Sequence, residues 1–177
     1  MTGAVEIRLR TDQDLAPILT VLAVCAGDSG YFADDDGQLV PHALESLDDP
    51  RFTGSWVASI DGEVIGQISI MPLALNEDPE YLPFWLAATA QPIERHALIK
   101  RLCVHPKAQG RGAASLLMET AMTELAASGL IGVLDTASIA QSAMALYRKL
   151  GWREVGRTKP TWTDEPFDAV LFVQPGH

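Results

Sequence analysis

The chain is poor in the residues that build metal centres and disulfide frameworks. Its 177 residues include two cysteines, Cys25 and Cys103, and four scattered histidines, His42, His96, His105 and His177. Neither set has ligand spacing, so no metal and no disulfide scaffold are expected. No apolar run approaches the roughly 20 residues of a membrane span. The opening residues carry an acid and arginines where a signal peptide would need an apolar core. These absences lead us to expect a cytoplasmic protein with no membrane partner. Positive charge is also scarce where the chain begins. Residues 1–94 hold only Arg8, Arg10 and Arg51 against 16 acids, a net of −13, whereas residues 95–177 carry +3. The total of −10 disfavours nucleic acid as a partner. The polarity favours an anion near the basic cluster Arg95, Lys100, Arg101, Lys107 and Arg111, and a cation over the acidic half. Solubility alone would also account for the acidity.

What remains is a composition suited to one globular domain spanning residues 1–177. Val5 to Arg10 alternates with period two and reads as a strand. Thr11 or Asp12 caps a helix expected to reach about Ala26, with Pro17 arguing for a late start. Gly27 to Gly37 reads as a polar loop containing Asp34-Asp35-Asp36, and Pro41 to Leu47 as a short helix. Strands Ser55–Ile60 and Glu63–Leu73 flank Asp61-Gly62, a hairpin signal. Residues 76 to 96 look irregular, broken by Pro79, Pro83 and Pro92. A strand over 97–104, a helix from about Gly112 to Ser128 stopped by Gly129, and a strand over 131–136 follow. A helix over 141–150 and two closing strands, 152–158 and 169–173, complete an α/β pattern around a mixed sheet.

The most informative stretch is Leu102-Cys103-Val104, a breaker at Pro106, and the loop Gln109-Gly110-Arg111-Gly112-Ala113-Ala114 that opens a helix. Small residues at a strand-to-helix turn let backbone N–H groups approach a phosphate, and the helix N-terminus adds partial positive charge. A Walker loop requires Gly-Lys-Ser/Thr, but Ala113-Ala114 follow Gly112. A Rossmann fingerprint requires a third glycine and an early position in the chain. The stretch resembles motif A of the GNAT acyltransferase superfamily, Gln/Arg-x-x-Gly-x-Gly/Ala, with Gln109, Gly112 and Ala114 in its fixed places. A second block, Ala143 to Trp152, is similar to the family's tyrosine-bearing helix that ends in glycine and an aromatic residue.

The resemblance implies a GNAT acyl-CoA N-acyltransferase fold, a mixed central β-sheet with helices on both faces. It implies acetyl transfer from acetyl-CoA to a small-molecule or peptide amine by direct attack, with homodimers common among relatives. Gln109, Gly110, Arg111, Gly112, Ala113 and Ala114 would hold the pyrophosphate, with Arg111 read either as a phosphate contact or as a surface arginine. Leu102, Cys103 and Val104 would pair with the pantetheine arm through backbone groups. Tyr147 would protonate the departing thiolate, although its spacing also suits core packing. Cys103 is not expected to act as a nucleophile, since direct transfer needs none. Two family positions differ: Ala140 stands where an asparagine is common, with Gln141 or Ser142 as stand-ins, and Leu98 where a glutamate is common. The general base therefore stays open among Glu77, Asp78, Glu80, Glu94 and a water chain. Trp85, Trp162 and Phe167 are expected to wall the acceptor pocket or to fill a satellite core. A non-catalytic CoA-binding domain is the alternative reading.

Overall fold

The computed structural model describes residues 3–29, 31–34, 36–76, 78–160 and 165–177. Seven strands form one sheet in the order β1-β2-β3-β4-β5-β7-β6: β1 (Glu6–Leu9), β2 (Gly54–Ile60), β3 (Glu63–Pro72), β4 (His96–Val104), β5 (Ile131–Ala137), β6 (Arg153–Thr158) and β7 (Ala169–Val173). Five helices accompany them: α1 (Leu15–Ser29), α2 (Ala43–Leu47), α3 (Leu82–Thr89), α4 (Ala113–Ala127) and α5 (Gln141–Lys149). The pairs β1–β2, β2–β3, β5–β7 and β6–β7 are antiparallel, and β4 and β5 run parallel over His96–Leu98. The chain divides into two compact units, Met1–Ile70 with Lys100–Ala121, and Met71–Ile99 with Met122–His177.

In the first unit, β2 turns into β3 through Asp61 (φ +52°) and Gly62 (φ +82°), the pair of left-handed residues that a two-residue hairpin needs. The capping carboxylate of Asp14 accepts from the Thr11 N–H (2.7 Å) and hydroxyl (2.9 Å), while Arg8 grips it at 2.6 and 2.8 Å. A 3-10 turn over Asp12–Asp14 precedes α1, so Pro17 falls in the first helical turn, where no N–H is missed. α1 then continues through Gly27 and Asp28, three residues beyond the predicted end at Ala26. Its buried face, Ile18, Val21, Leu22 and Cys25, packs with Leu47, Val57 of β2 and Cys103 of β4.

In the second unit, the expected irregular segment contains a real helix. Pro83 sits within the first two residues of α3, where it costs no hydrogen bond, and Ala90 ends the helix at φ +52°. The helix forms because Trp85 (0 % exposed) has a core to enter, beside Tyr81 with ring centroids 5.9 Å apart. Helices cover both faces of β7 in this unit. Gly156 of β6 pairs with Leu171, and a Cβ placed on it would lie 2.1 Å from Phe84 of α3. The next residue of β7, Phe172, points the other way and meets Tyr147 of α5 at 5.6 Å. α4 divides between the units after Ala121, and its Leu117, Ala121 and Leu125 are all fully buried, as their fourfold spacing predicts. Gly129 stops that helix at φ +66°, with the N–H of Leu130 reaching back to the Leu125 carbonyl at 2.9 Å.

Candidate active site

The loop between β4 and α4 has the form of an anion cradle. Pro106–Ala108 makes a 3-10 turn capped by His105, whose Nδ1 accepts from the Lys107 N–H at 3.1 Å. Gly110 and Gly112 then adopt left-handed backbones, φ +77° and +84°, and a Cβ on either would meet nothing within 4 Å. Glycine is needed here for conformation, and the space above the loop is open. The first bond of α4 is the Leu116 N–H to the Gly112 carbonyl, 3.0 Å. The N–H groups of Gly110, Gly112, Ala113, Ala114 and Ser115 consequently have no partner among the described residues. Five open donors at a helix N-terminus suit a pyrophosphate in charge and shape. Gln109 is exposed at the start of this row. Arg111 gives one N–H to the Gly3 carbonyl at 2.6 Å, so it ties down the beginning of the chain.

β4 supplies the strand before the loop. Leu102 and Val104 are half-buried around buried Cys103. Gly66 of β3 lets β4 come close, since a Cβ there would stand 2.6 Å from the Cys103 carbonyl. Burial pushes the Cys103 thiol far above its ordinary range, which disfavours the thiolate that a nucleophile needs. Arg101 departs from a plain strand, with φ +59°. Its guanidinium turns to the Ser46 carbonyl (3.1 Å) and over the Phe32 ring (5.0 Å), a commitment that membership of a basic cluster does not foretell.

Tyr147 lies in the second unit. Its ring is 6 % exposed, packed against Phe172 and Trp152. Burial, and secondarily the charge of Asp135 on β5, pushes its phenol well above the ordinary value of 10.0. The phenol therefore stays protonated at neutral pH, and the same burial makes it a weaker acid than free tyrosine. Sequence reasoning misses Asp135, although a lone acid in the apolar run 131–136 is a usable signal. Ala140 precedes α5 without a side-chain cap, and the Gln141 amide is spent on the Ser138 carbonyl at 2.8 Å. Of the candidate bases, Asp78 and Glu80 are half-buried near the start of α3 and Glu94 is exposed, while Glu77 lies outside the described residues. Trp85 is a core residue and Phe167 is half-buried; Trp162 also lies outside the described residues. Among the described residues no helix is long and apolar enough to cross a membrane.

Solved structures share this fold across nearly the whole chain. The ribosomal-protein-S18-alanine N-acetyltransferase from Escherichia coli is 18% identical with a TM-score of 0.66, covering 97% of this chain and 93% of that one. An N-acetyltransferase from Staphylococcus aureus Mu50 is 16% identical with a TM-score of 0.69, covering 97% and 98%. A GCN5-related N-acetyltransferase from Kribbella flavida is 20% identical with a TM-score of 0.67, again covering 97% and 98%. At such identities the likeness speaks to the fold. No curated protein sequence matches the chain. The family model described as acetyltransferase (GNAT) family matches residues 22–152, which include the cradle, β5 and the Tyr147 helix. The chain belongs to the acetyltransferase (GNAT) family.

Proposed function

We propose that this chain is a cytoplasmic, single-domain N-acetyltransferase that moves an acetyl group from acetyl-CoA to an amine by direct attack. The open N–H donors of Gly110, Gly112, Ala113, Ala114 and Ser115 carry the reading, because convergent donors at a helix start, beneath open space, favour an anionic ligand. Gln109 to Ala114 would hold the pyrophosphate, and the backbone of Leu102 to Val104 would align the pantetheine arm. The attacking nitrogen forms a bond to the thioester carbon and the carbon–sulfur bond breaks. Tyr147 gives its proton to the sulfur, and the amine loses its own to a base or water. A thiol has a pKa near 8.5, so protonating its thiolate helps modestly, and positioning of the two reactants supplies most of the rate. A cationic amine suits the surplus of acids in residues 1–94. A peptide N-terminus is one such amine, in keeping with the name of the E. coli structural neighbour.

Titration calorimetry with acetyl-CoA, CoA and ATP tests this reading. Micromolar binding selective for the CoA compounds supports it, and thiol release with a panel of amines then identifies the acceptor class. Equal affinity for ATP, or no binding, would overturn it. A non-catalytic CoA-binding domain is favoured by apolar Ala140 and fully buried Leu98 at positions where relatives carry polar groups. That alternative predicts CoA binding without thiol release for any amine.

A further inference from the structure

Arg101 stands immediately before the strand residues assigned to the donor arm, and its left-handed backbone (φ +59°) breaks the regular course of β4. Its carbonyl accepts from Gln67 Nε2 at 2.9 Å. Gln67 is fully buried, and its Oε1 has no partner among the described residues. An amide facing a carbonyl must present its nitrogen, so this orientation follows from chemistry. The guanidinium leaves the strand for the connection between α1 and α2. Nε donates to the Ser46 carbonyl of α2 at 3.1 Å, and the planar group lies 5.0 Å from the centre of the Phe32 ring.

Phe32 is itself left-handed, with φ +63°. Its carbonyl accepts from the Val40 N–H at 2.9 Å, and the Asp34 N–H reaches the Gln38 carbonyl at 2.8 Å. The Asp34 carboxylate accepts from the N–H groups of Asp36 (3.0 Å) and Gln38 (2.8 Å). Residues 32–34 and 36–40 are thus tied to one another as the sides of a small knob, with Phe32 and Val40 at its stem. Bulky residues persist in the left-handed region only where their surroundings over-determine them. Here two such residues meet in a cation–π contact, with Gln67 and Ser46 bonded to Arg101 and Tyr31 packed on Phe32.

We propose that Arg101 is a positioning residue that couples occupancy of the donor strand Leu102–Val104 to the seating of the knob and α2. This rests on the donor reading given above. An arm pairing with the backbone beside Arg101 fixes the irregular turn of β4. That turn fixes the direction of the guanidinium, which in turn fixes Phe32 and Ser46. The donor-binding strand and the segment before β2 then respond as one unit to the same ligand.

Hydrogen exchange followed by mass spectrometry, with and without saturating CoA, tests the coupling. In the wild type, CoA should slow exchange several-fold in peptides from 109–116 and also in peptides from 36–47. Arg101→Gly keeps the left-handed backbone and removes only the side chain. In that variant the protection of 109–116 should remain, with CoA affinity within about threefold, while the protection of 36–47 disappears. Protection of 36–47 that persists in Arg101→Gly, or a wild type protected at 109–116 alone, would overturn the coupling. No protection at 109–116 would instead overturn the cradle itself. Phe32→Leu is the second variant, should Arg101→Gly not fold. It keeps an apolar side chain, removes the ring under the guanidinium, and should uncouple 36–47 in the same way.

Discussion

Trp152 donates its backbone N–H to the Tyr147 carbonyl at 2.9 Å, and the two rings lie 6.4 Å apart. Gly151 makes this return possible at φ +81°, its own N–H reaching the Arg148 carbonyl at 3.0 Å. The glycine-aromatic pair that ends α5 is thus a helix stop whose hydrophobic contact clamps the tyrosine. Phe172 closes the other side at 5.6 Å. The Tyr147 ring is thus fixed by packing on two sides.

Tyr147→Phe keeps that packing and removes only the hydroxyl. Turnover with an amine found by screening should fall by about tenfold or more. Acetyl-CoA affinity should not change, and the melting temperature should move little. Equal turnover would remove Tyr147 from the mechanism.

The raised phenol also sets a pH expectation. A folded pKa above 10.0 means that the acid form persists at pH values where a free tyrosine has ionised. Turnover should show no loss assignable to Tyr147 up to pH 10. The stability contributed by keeping the phenol neutral is full below pH 10 and declines only as pH climbs from there toward the folded value. Spectrophotometric titration of the wild type against Tyr147→Phe reads this directly.

Gly112→Val should weaken acetyl-CoA binding by at least about tenfold. A Cβ there meets no protein atom within 4 Å, but φ +84° strains any L side chain, so binding falls through both distortion of the loop and filling of the open space over it. The left-handed backbone adds a fold cost of about 1–2 kcal/mol. Calorimetry and a thermal melt on one preparation separate the loss of binding from the fold cost. Unchanged affinity would contradict the loop assignment.

Gly156→Ala should destabilise the fold by about 1–3 kcal/mol, because its Cβ would fall 2.1 Å from Phe84. Phe84→Ala costs stability alone but should restore part of the loss when combined with it. A double-mutant cycle by denaturant unfolding measures the coupling. Additive losses would mean that the ring and the strand do not meet in solution.

Asp14 carries an acid-side prediction. Two hydrogen bonds from Arg8, with the Thr11 N–H and hydroxyl, hold its carboxyl well below the ordinary 3.8. That stability is fully present above pH 3.8 and is lost as pH falls toward the folded value. Asp14→Asn should cost about 1–3 kcal/mol at pH 7. The wild-type advantage should shrink below pH 4 in urea titrations.

Features governed by neighbouring residues are legible in the amino-acid order alone. The Asp61-Gly62 hairpin, the stops at Gly129 and Gly151, and the apolar face of α4 depend on backbone sterics and helical spacing. The left-handed turns at Gly110 and Gly112 before α4 belong to this class, since glycine is the residue that adopts them without strain. The segment 76–96 reads as irregular because Pro83 looks like a breaker until Trp85 has a core to enter. Asp135, Arg101 and Gln67 take their roles from contacts made far along the chain. A carboxylate acts on Tyr147 only once β5 and α5 pack together. An arginine accepts a left-handed backbone only where Gln67, Ser46 and Phe32 converge on it. Residue order thus sets the turns, the helix faces and the family, all of which rest on spacing along the chain. Packing sets which side chains share a field or a contact, because electrostatics and van der Waals contact depend on distance in space, which local pattern does not encode.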